Sequence, residues 1–290
     1  FYRMCDCLPF YRELKTAVLK GYTPCSVTGV YNIHKAQSIL GLSRLGSVCL
    51  ICDDEPAARR FVSDINELAG FEEACLYPAK DFCFSYMEGI SKEYEQERIA
   101  ALSKILFKKC RILVLSMEAA LQACIPAWAL QKYSFEIKSG DTLSTEDLCT
   151  KLIASLTLLG YQRYDQIEGV GQFSVRGGII DIFPVNSSQP YRIELWGDEV
   201  DSISLFDVSS QRRTEPAESL LISPAKEIIF SSAPKIIFSF SFSNNKIYYN
   251  DICIDTKNTT LEINVLRNYF ETYDIQPKII VMEISSIGIN

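Results

Sequence analysis

Two groups of residues in this 290-residue sequence have types and spacings that could do chemistry. The first is the run Ser26-Val27-Thr28-Gly29-Val30-Tyr31-Asn32-Ile33-His34-Lys35-Ala36. If it links the first strand of an α/β sheet to the next helix, it occupies the natural phosphate site. Free backbone N–H groups and the helix dipole point outward there. A working phosphate loop needs two glycines for a backbone nest, a Lys for the β- and γ-phosphates, and a Ser or Thr hydroxyl for magnesium. Aligned on Val27-Thr28-Gly29, those places hold Tyr31, Asn32 and Ile33. In a register starting at Gly29, the second glycine is His34, Lys35 follows, and Ala36 replaces the hydroxyl. Neither register cradles phosphate and holds a metal. The loop, with Ser26, Gly29, Tyr31, Asn32 and Ile33, therefore reads as a degenerate nucleotide site, and no ATP hydrolysis by this chain is expected.

The second group comprises the remaining groups able to titrate or bind metal. His34 is the one histidine, so an imidazole base would have to be His34, and no Ser, Cys or carboxylate partner can be assigned to it. Cys49 and Cys52 have zinc-like spacing, but residues three apart in a strand point to opposite faces and no second pair follows. No metal is expected. Asp181, Glu194, Asp198, Glu199 and Asp201 would suit an acid/base pair or a metal cluster. Their positions on strands and tight turns read instead as a solvated sheet edge. Arg176, beside Gly177-Gly178, is a further charged position. From the residues alone, Arg176 reads as pairing with carboxylates of its own sheet.

Composition limits the function classes. There are 29 Lys and Arg against 36 Asp and Glu, a net charge of -7, which argues against a phosphate backbone as the main partner. The charge is concentrated: residues 138–223 hold seven Lys and Arg against thirteen Asp and Glu. Eleven cysteines, mostly in apolar runs such as Val48-Cys49-Leu50-Ile51-Cys52, fit reduced core thiols. No segment reaches the roughly 18–20 apolar residues of a membrane span and no signal-peptide pattern opens the chain, so a cytoplasmic location is expected. The sequence begins at Phe1 without an initiator methionine, as a fragment would.

The elements that must position these residues follow from periodicity. Val48–Cys52 and Ile112–Leu115 are short continuous apolar runs, as for strands buried on both faces. Phe61, Ile65 and Leu68 follow Asp54 and Pro56 at helical spacing, and Ile99, Leu102 and Leu106 repeat it behind Glu93, Glu95 and Glu97. Strands alternating with helices imply a parallel α/β sheet. Near 138 the texture changes. Ser144-x-x-Asp147 resembles a capping box, and Leu148, Leu152, Leu156 and Leu159 form one stripe that stops at Gly160. Strand-like runs follow at 161–167, 172–183, 191–196 and 200–208, with turns at 168–171, 186–190 and 197–198. The fold class is α/β: a parallel-sheet, P-loop-like domain at 1–137, plus an inserted small α+β domain with an antiparallel sheet at 138–223. Residues 224–290 are either a return to the first domain or a divergent tail, with a strand expected around Phe238–Phe242 and a short helix over Leu261–Phe270.

One stretch resembles a known module. Gly160-Tyr161-Gln162-Arg163, Gly171 to Pro184 with its Val175-Arg176-Gly177-Gly178, Tyr191 to Ile203 with its Glu194-Leu195-Trp196-Gly197-Asp198, and Phe206-Asp207 are similar to a domain shared by the excision-repair protein UvrB and the N-terminal part of the bacterial transcription-repair coupling factors (Mfd). Weaker agreement covers 1–228, including Tyr77-Pro78-Ala79-Lys80-Asp81 and Gln211-Arg212-Arg213. UvrB keeps an intact P-loop and inserts a long aromatic hairpin. Here the P-loop is lost, and only Met87 to Lys92 separate Tyr86 from the acidic helix. The resemblance is therefore to the UvrB-like module of the coupling factors, the alternative being a fragment of an ATP-hydrolysing UvrB-type repair helicase.

The resemblance implies a non-catalytic domain that docks onto UvrA, with Arg176, Arg192 and Trp196 as partner-binding positions; relatives usually have Phe at the place of Trp196. It implies no cofactor for this chain, ATP and magnesium serving only the motor domains of an intact protein. RNA polymerase and DNA would be engaged through regions absent here, with the motor contacting this module intramolecularly. It also leads to the expectation that Arg176→Glu with Arg192→Glu abolishes UvrA binding without changing stability.

Overall fold

A computed structural model of the chain describes residues 5–22, 25–80, 92–122, 124–125, 127–142, 148–197 and 199–227, and the strands at 241–243, 246–249, 252–255 and 279–282. In chain order the elements begin with α1 (Pro9–Leu19), α2 (Asn32–Leu42), β1 (Val48–Cys52), α3 (Glu55–Ala69), β2 (Ala74–Tyr77), α4 (Lys92–Leu106), β3 (Ile112–Ser116), α5 (Met117–Ala120) and α6 (Ala127–Tyr133). They continue with β4 (Phe135–Lys138), α7 (Leu148–Leu158), β5 (Gln162–Arg163), β6 (Gln172–Arg176), β7 (Ile179–Ile182), β8 (Tyr191–Trp196), β9 (Glu199–Phe206), β10 (Arg213–Ala217) and β11 (Ser219–Ile222). The last four are β12 (Ser241–Ser243), β13 (Lys246–Tyr249), β14 (Ile252–Asp255) and β15 (Ile279–Met282). Two compact units result, one of residues 1–82, 104–123 and 235–290, the other of 83–103 and 124–234.

The first unit is built on a parallel sheet in the order β15-β1-β3-β2, with Leu50 opposite both Val114 and Val281. Every residue of β1 and β3 is buried, which is why these runs are apolar without alternation. Burial pushes the Cys49 thiol up to about 12, as befits a core thiol. Helix α3 starts where Asp54 accepts a bond from the Ala57 N–H at 2.7 Å and stops at Gly70, whose φ of 80° closes a left-handed cap. Its Ala57, Ala58, Phe61 and Ile65 pack against β1 and β3 residues in one core. Asn66 at its end does more than periodicity can announce. Its Oδ1 accepts from the Glu73 and Ala74 N–H groups and its Nδ2 donates to the Ala74 carbonyl, pinning the start of β2. Helix α1 packs tightly on α2, since a methyl at Gly41 would stand 2.6 Å from the Tyr11 ring and hydroxyl.

One expectation for this unit changes. Residues 25–31 were expected to follow a first strand, but helix α1 precedes them and β1 comes only after α2; these residues pair with no strand and 25–29 are exposed. Beyond 227, β12–β13–β14 form a small antiparallel sheet and β15 pairs with β1, so the final segment contributes to the first unit. The expected helix over 261–270 and the capping box at Ser144 and Asp147 lie outside the described residues, as does the segment 87–91 that separates Tyr86 from the acidic helix.

The second unit carries a six-stranded sheet in the order β10-β9-β8-β7-β6-β5, antiparallel except for the β5–β6 pair. One face is apolar: Phe173, Ile180, Ile182, Ile193 and Ile203 are buried together with Leu152, Leu156 and Leu159 of α7 and the residues that end it. Strand β4 pairs antiparallel with β11, Ile137 opposite Leu220, so the first and last strands of the segment lie side by side. The run at 172–183 is not one strand but a hairpin, β6 and β7 joined at Gly177-Gly178 with Gly177 at φ 61°. The run at 161–167 keeps only two paired residues.

Tyr161, next to Gly160 at the end of α7, is fully packed. Its hydroxyl donates to the Ser223 carbonyl at 2.8 Å and accepts from the Val185 N–H at 3.4 Å, and burial raises its pKa. One phenol thus joins the ends of α7, β7 and β11. Tyr161→Phe leaves two buried backbone groups without that partner and is expected to lower unfolding free energy by about 1–3 kcal/mol. Urea denaturation of the two forms, compared at equal m-value, checks this.

Candidate functional site

The second face of the six-stranded sheet is polar, and cross-strand register defines it. Ser174 stands opposite Asp181, Asp181 opposite Arg192, and Arg192 opposite Ser204, forming one row. Arg176, Ile179, Glu194 and Ser202 form the next. Residues two apart on a strand share a face, so Arg192, Glu194 and Trp196 lie along β8 on this side. The three positions expected to bind a partner therefore share one face.

Asp181 sits at its centre with 1% of its side chain exposed. Its Oδ1 accepts from Arg192 Nε at 2.6 Å, and its Oδ2 accepts from Arg192 Nη2 at 2.8 Å and from Arg176 Nη2 at 2.7 Å. The pairing with Arg192 is a fork on a carboxylate, the geometry in which an ion pair is strongest. Arg192 is 13% exposed; its Nη1 donates to the Gln211 carbonyl at 3.4 Å and its guanidinium lies 5.2 Å from the centre of the Phe206 ring. Asp181 holds the Arg192 pKa above its ordinary value, so that charge is permanent. The Gln211 carbonyl is delivered by a tight turn. Asp207 accepts from Ser209 Oγ and the Ser210 N–H, bonds that pull its carboxyl down to about 2, and Gln211 closes the turn at φ 57°.

Arg176 and Trp196 differ from Arg192. Half of the Arg176 side chain is exposed, and Trp196 is 83% exposed at the end of β8. The neighbouring turn ends in Gly178, whose carbonyl accepts from the Leu195 N–H at 2.8 Å, and an added Cβ there would meet the Leu195 carbonyl at 2.8 Å. The turn is pressed against β8 and has no side chain to cover the indole. Both oxygens of Glu194 are engaged, Oε1 by Arg213 and Oε2 by Ser202 Oγ at 3.2 Å.

The expected solvated edge of carboxylates is not found for Asp181 and Glu194. They occupy the interior strands β7 and β8, and Asp181 is buried because two arginines compensate its charge. Glu199 and Asp201 are exposed, and Asp198 lies outside the described residues. Sequence reasoning singled out both arginines but not their common anchor. The pattern Arg-Gly-Gly-x-x-Asp, with Asp181 five residues after Arg176 across a two-glycine turn, is the signal that could have found it.

The residues read from sequence as a degenerate nucleotide loop lie in the other unit. Ser26 and Gly29 are on exposed coil, Gly29 at φ 72°, and Tyr31 precedes α2 without any side-chain cap. Asn32 and Ile33 open the helix, exposed. His34 Nδ1 meets Gln37 Oε1 at 3.2 Å on its own helix.

Residues 135–228 match the family model of the UvrB interaction domain. The chain is 31% identical over 175 residues to the transcription-repair-coupling factor of Bacillus subtilis, a match covering 60% of this chain and 14% of the relative. It is 28% identical over 205 residues to that of Staphylococcus haemolyticus, covering 70% and 17%, and 29% identical over 174 residues to that of Staphylococcus aureus strain MRSA252, covering 60% and 14%. The chain thus spans about a sixth or less of the length of these relatives.

Proposed function

We propose, from the premise that this chain carries a UvrB interaction domain and is homologous to the transcription-repair-coupling factors, that it is the UvrA-recruiting module of such a factor and performs no catalysis itself. The observation that carries the reading is the polar face of β6–β8. Inside the matched domain, an exposed tryptophan and a half-exposed arginine are held on one rigid sheet rather than on a loop. Burying an indole and pairing a guanidinium are typical sources of binding energy at hot spots. The domain's excess of acidic residues supports a protein partner over DNA.

In this reading UvrA is brought to a stalled RNA polymerase for nucleotide-excision repair in the cytoplasm, and polymerase, DNA and the ATP-driven motor belong to the remainder of the parent protein. That motor would also contact this module when repair is not under way. Hydrogen exchange of the chain with and without UvrA tests the docking site. Protection is expected in β6, β7 and the β8–β9 hairpin around Trp196; protection confined to the first unit contradicts it.

The absence of catalysis rests on the loop at 26–36, which offers neither the second glycine nor the Lys-Ser/Thr pair that phosphate and magnesium require. Calorimetric titration with ATP and magnesium is expected to give no binding at micromolar concentrations. Saturable micromolar heat would overturn that reading and revive the helicase-fragment alternative.

A further inference from the structure

We infer that Asp181 is the positioning residue of the docking face: it withdraws Arg192 from the partner and aims Arg176 outward, so that Arg176 and Trp196 make the contact. The inference rests on the UvrA-docking reading above and divides the labour within it. Arg192 has little left for a partner, its side chain being 13% exposed. Three of its five N–H groups are used, one each from Nε and Nη2 on Asp181 and one from Nη1 on the Gln211 carbonyl, and one flat face lies on Phe206. It braces the carboxylate on the interior side.

Arg176 is held differently. Only its Nη2 is used, on the Oδ2 that Arg192 also bonds, and its other N–H groups have no partner among the described residues. One corner of the guanidinium is therefore fixed by a buried carboxylate while the remaining donors face solvent. Two arginines and one aspartate leave a single positive charge, displayed at Arg176. A partner carboxylate would meet a pre-oriented fork, with less side-chain freedom to lose on binding. Without Asp181, Arg176 keeps its charge but loses its direction. Arg192 then serves the contact through Asp181 rather than by touching the partner.

A double-mutant cycle on the 290-residue chain, read as equilibrium affinity for purified UvrA, separates this role from a merely structural one. Asp181→Asn is expected to weaken binding about 10-fold when Arg176 is present and less than about 2-fold in the Arg176→Ala background, because the residue acts through Arg176. Equal loss in both backgrounds, or no loss with Arg176 present, overturns the inference. Should Asp181→Asn fail to fold, Asp181→Glu, which keeps the charge but moves it by one methylene, is put through the same cycle with the same criteria. The docking reading fails separately, and takes the inference with it, if Arg176→Ala and Trp196→Ala both leave affinity unchanged.

Discussion

Trp196→Ala and Arg176→Ala are each expected to weaken binding to UvrA by about 30-fold, the roughly 2 kcal/mol typical of a hot-spot truncation. Unfolding free energy should stay within about 0.5 kcal/mol for Trp196→Ala, whose indole stands in solvent, and fall by about 1 kcal/mol for Arg176→Ala, which is half exposed. The exposed indole has no internal packing to lose, and Arg176 gives up one hydrogen bond to a carboxylate that Arg192 still grips with two. Arg192→Glu behaves otherwise. It sets a second carboxylate against buried Asp181 and removes the guanidinium from Phe206, so both binding and melting temperature should fall. The expectation drawn from sequence, that reversing both arginine charges leaves stability untouched, therefore does not survive the geometry. Single substitutions at Arg176 and Trp196 are the clean probes.

The largest effect on stability is expected from Arg98. This residue of α4 is fully buried, and its Nε donates to Glu227 Oε1 at 2.8 Å, with Glu227 itself 2% exposed. The Glu227 N–H in turn donates to Glu95 Oε1 at 2.8 Å, so α4 clasps the chain just after β11. Replacing Arg98 by Met leaves a buried carboxylate without its cation and should cost about 3–5 kcal/mol. Arg98→Met combined with Glu227→Gln should recover a substantial part, since the uncompensated charge is then gone. Chemical denaturation of the single and double variants, followed by circular dichroism, measures both. A loss in the double variant as large as in the single would mean that packing rather than charge dominates the clasp.

How much could be read beforehand differed by element for physical reasons. Strands β1 and β3 were legible because burial on both faces leaves continuous apolar runs, and α3 because Asp54 and Gly70 cap an apolar stripe. Strand β2 was not. It is four residues long and its start is held by Asn66, a side chain on the preceding helix whose role carries no periodic signature. The β6–β7 turn was hidden inside a run of strand-forming residues, where Gly177-Gly178 signalled backbone shape without fixing a reversal. The Arg98–Glu227 pair spans 129 positions and crosses what composition marked as a boundary.

The polar face of β6–β8 shows the same split. The resemblance pointed to Arg176, Arg192 and Trp196, but only the register that seats Asp181 opposite Arg192 and within reach of Arg176 decides which arginine faces outward. Charge followed a similar course. The acidic excess of the second unit includes exposed residues such as Glu199 and Asp201, whereas buried Asp181 is engaged with two cations.

The central claim, that this chain docks onto UvrA through the β6–β8 face, is tested most directly by an equilibrium titration of the 290-residue chain with purified UvrA in the presence and absence of UvrB. Saturable binding that UvrB displaces is expected, because the proposed docking face lies in a domain that the resemblance shares with UvrB. No saturable binding, or binding that excess UvrB leaves untouched, would contradict it.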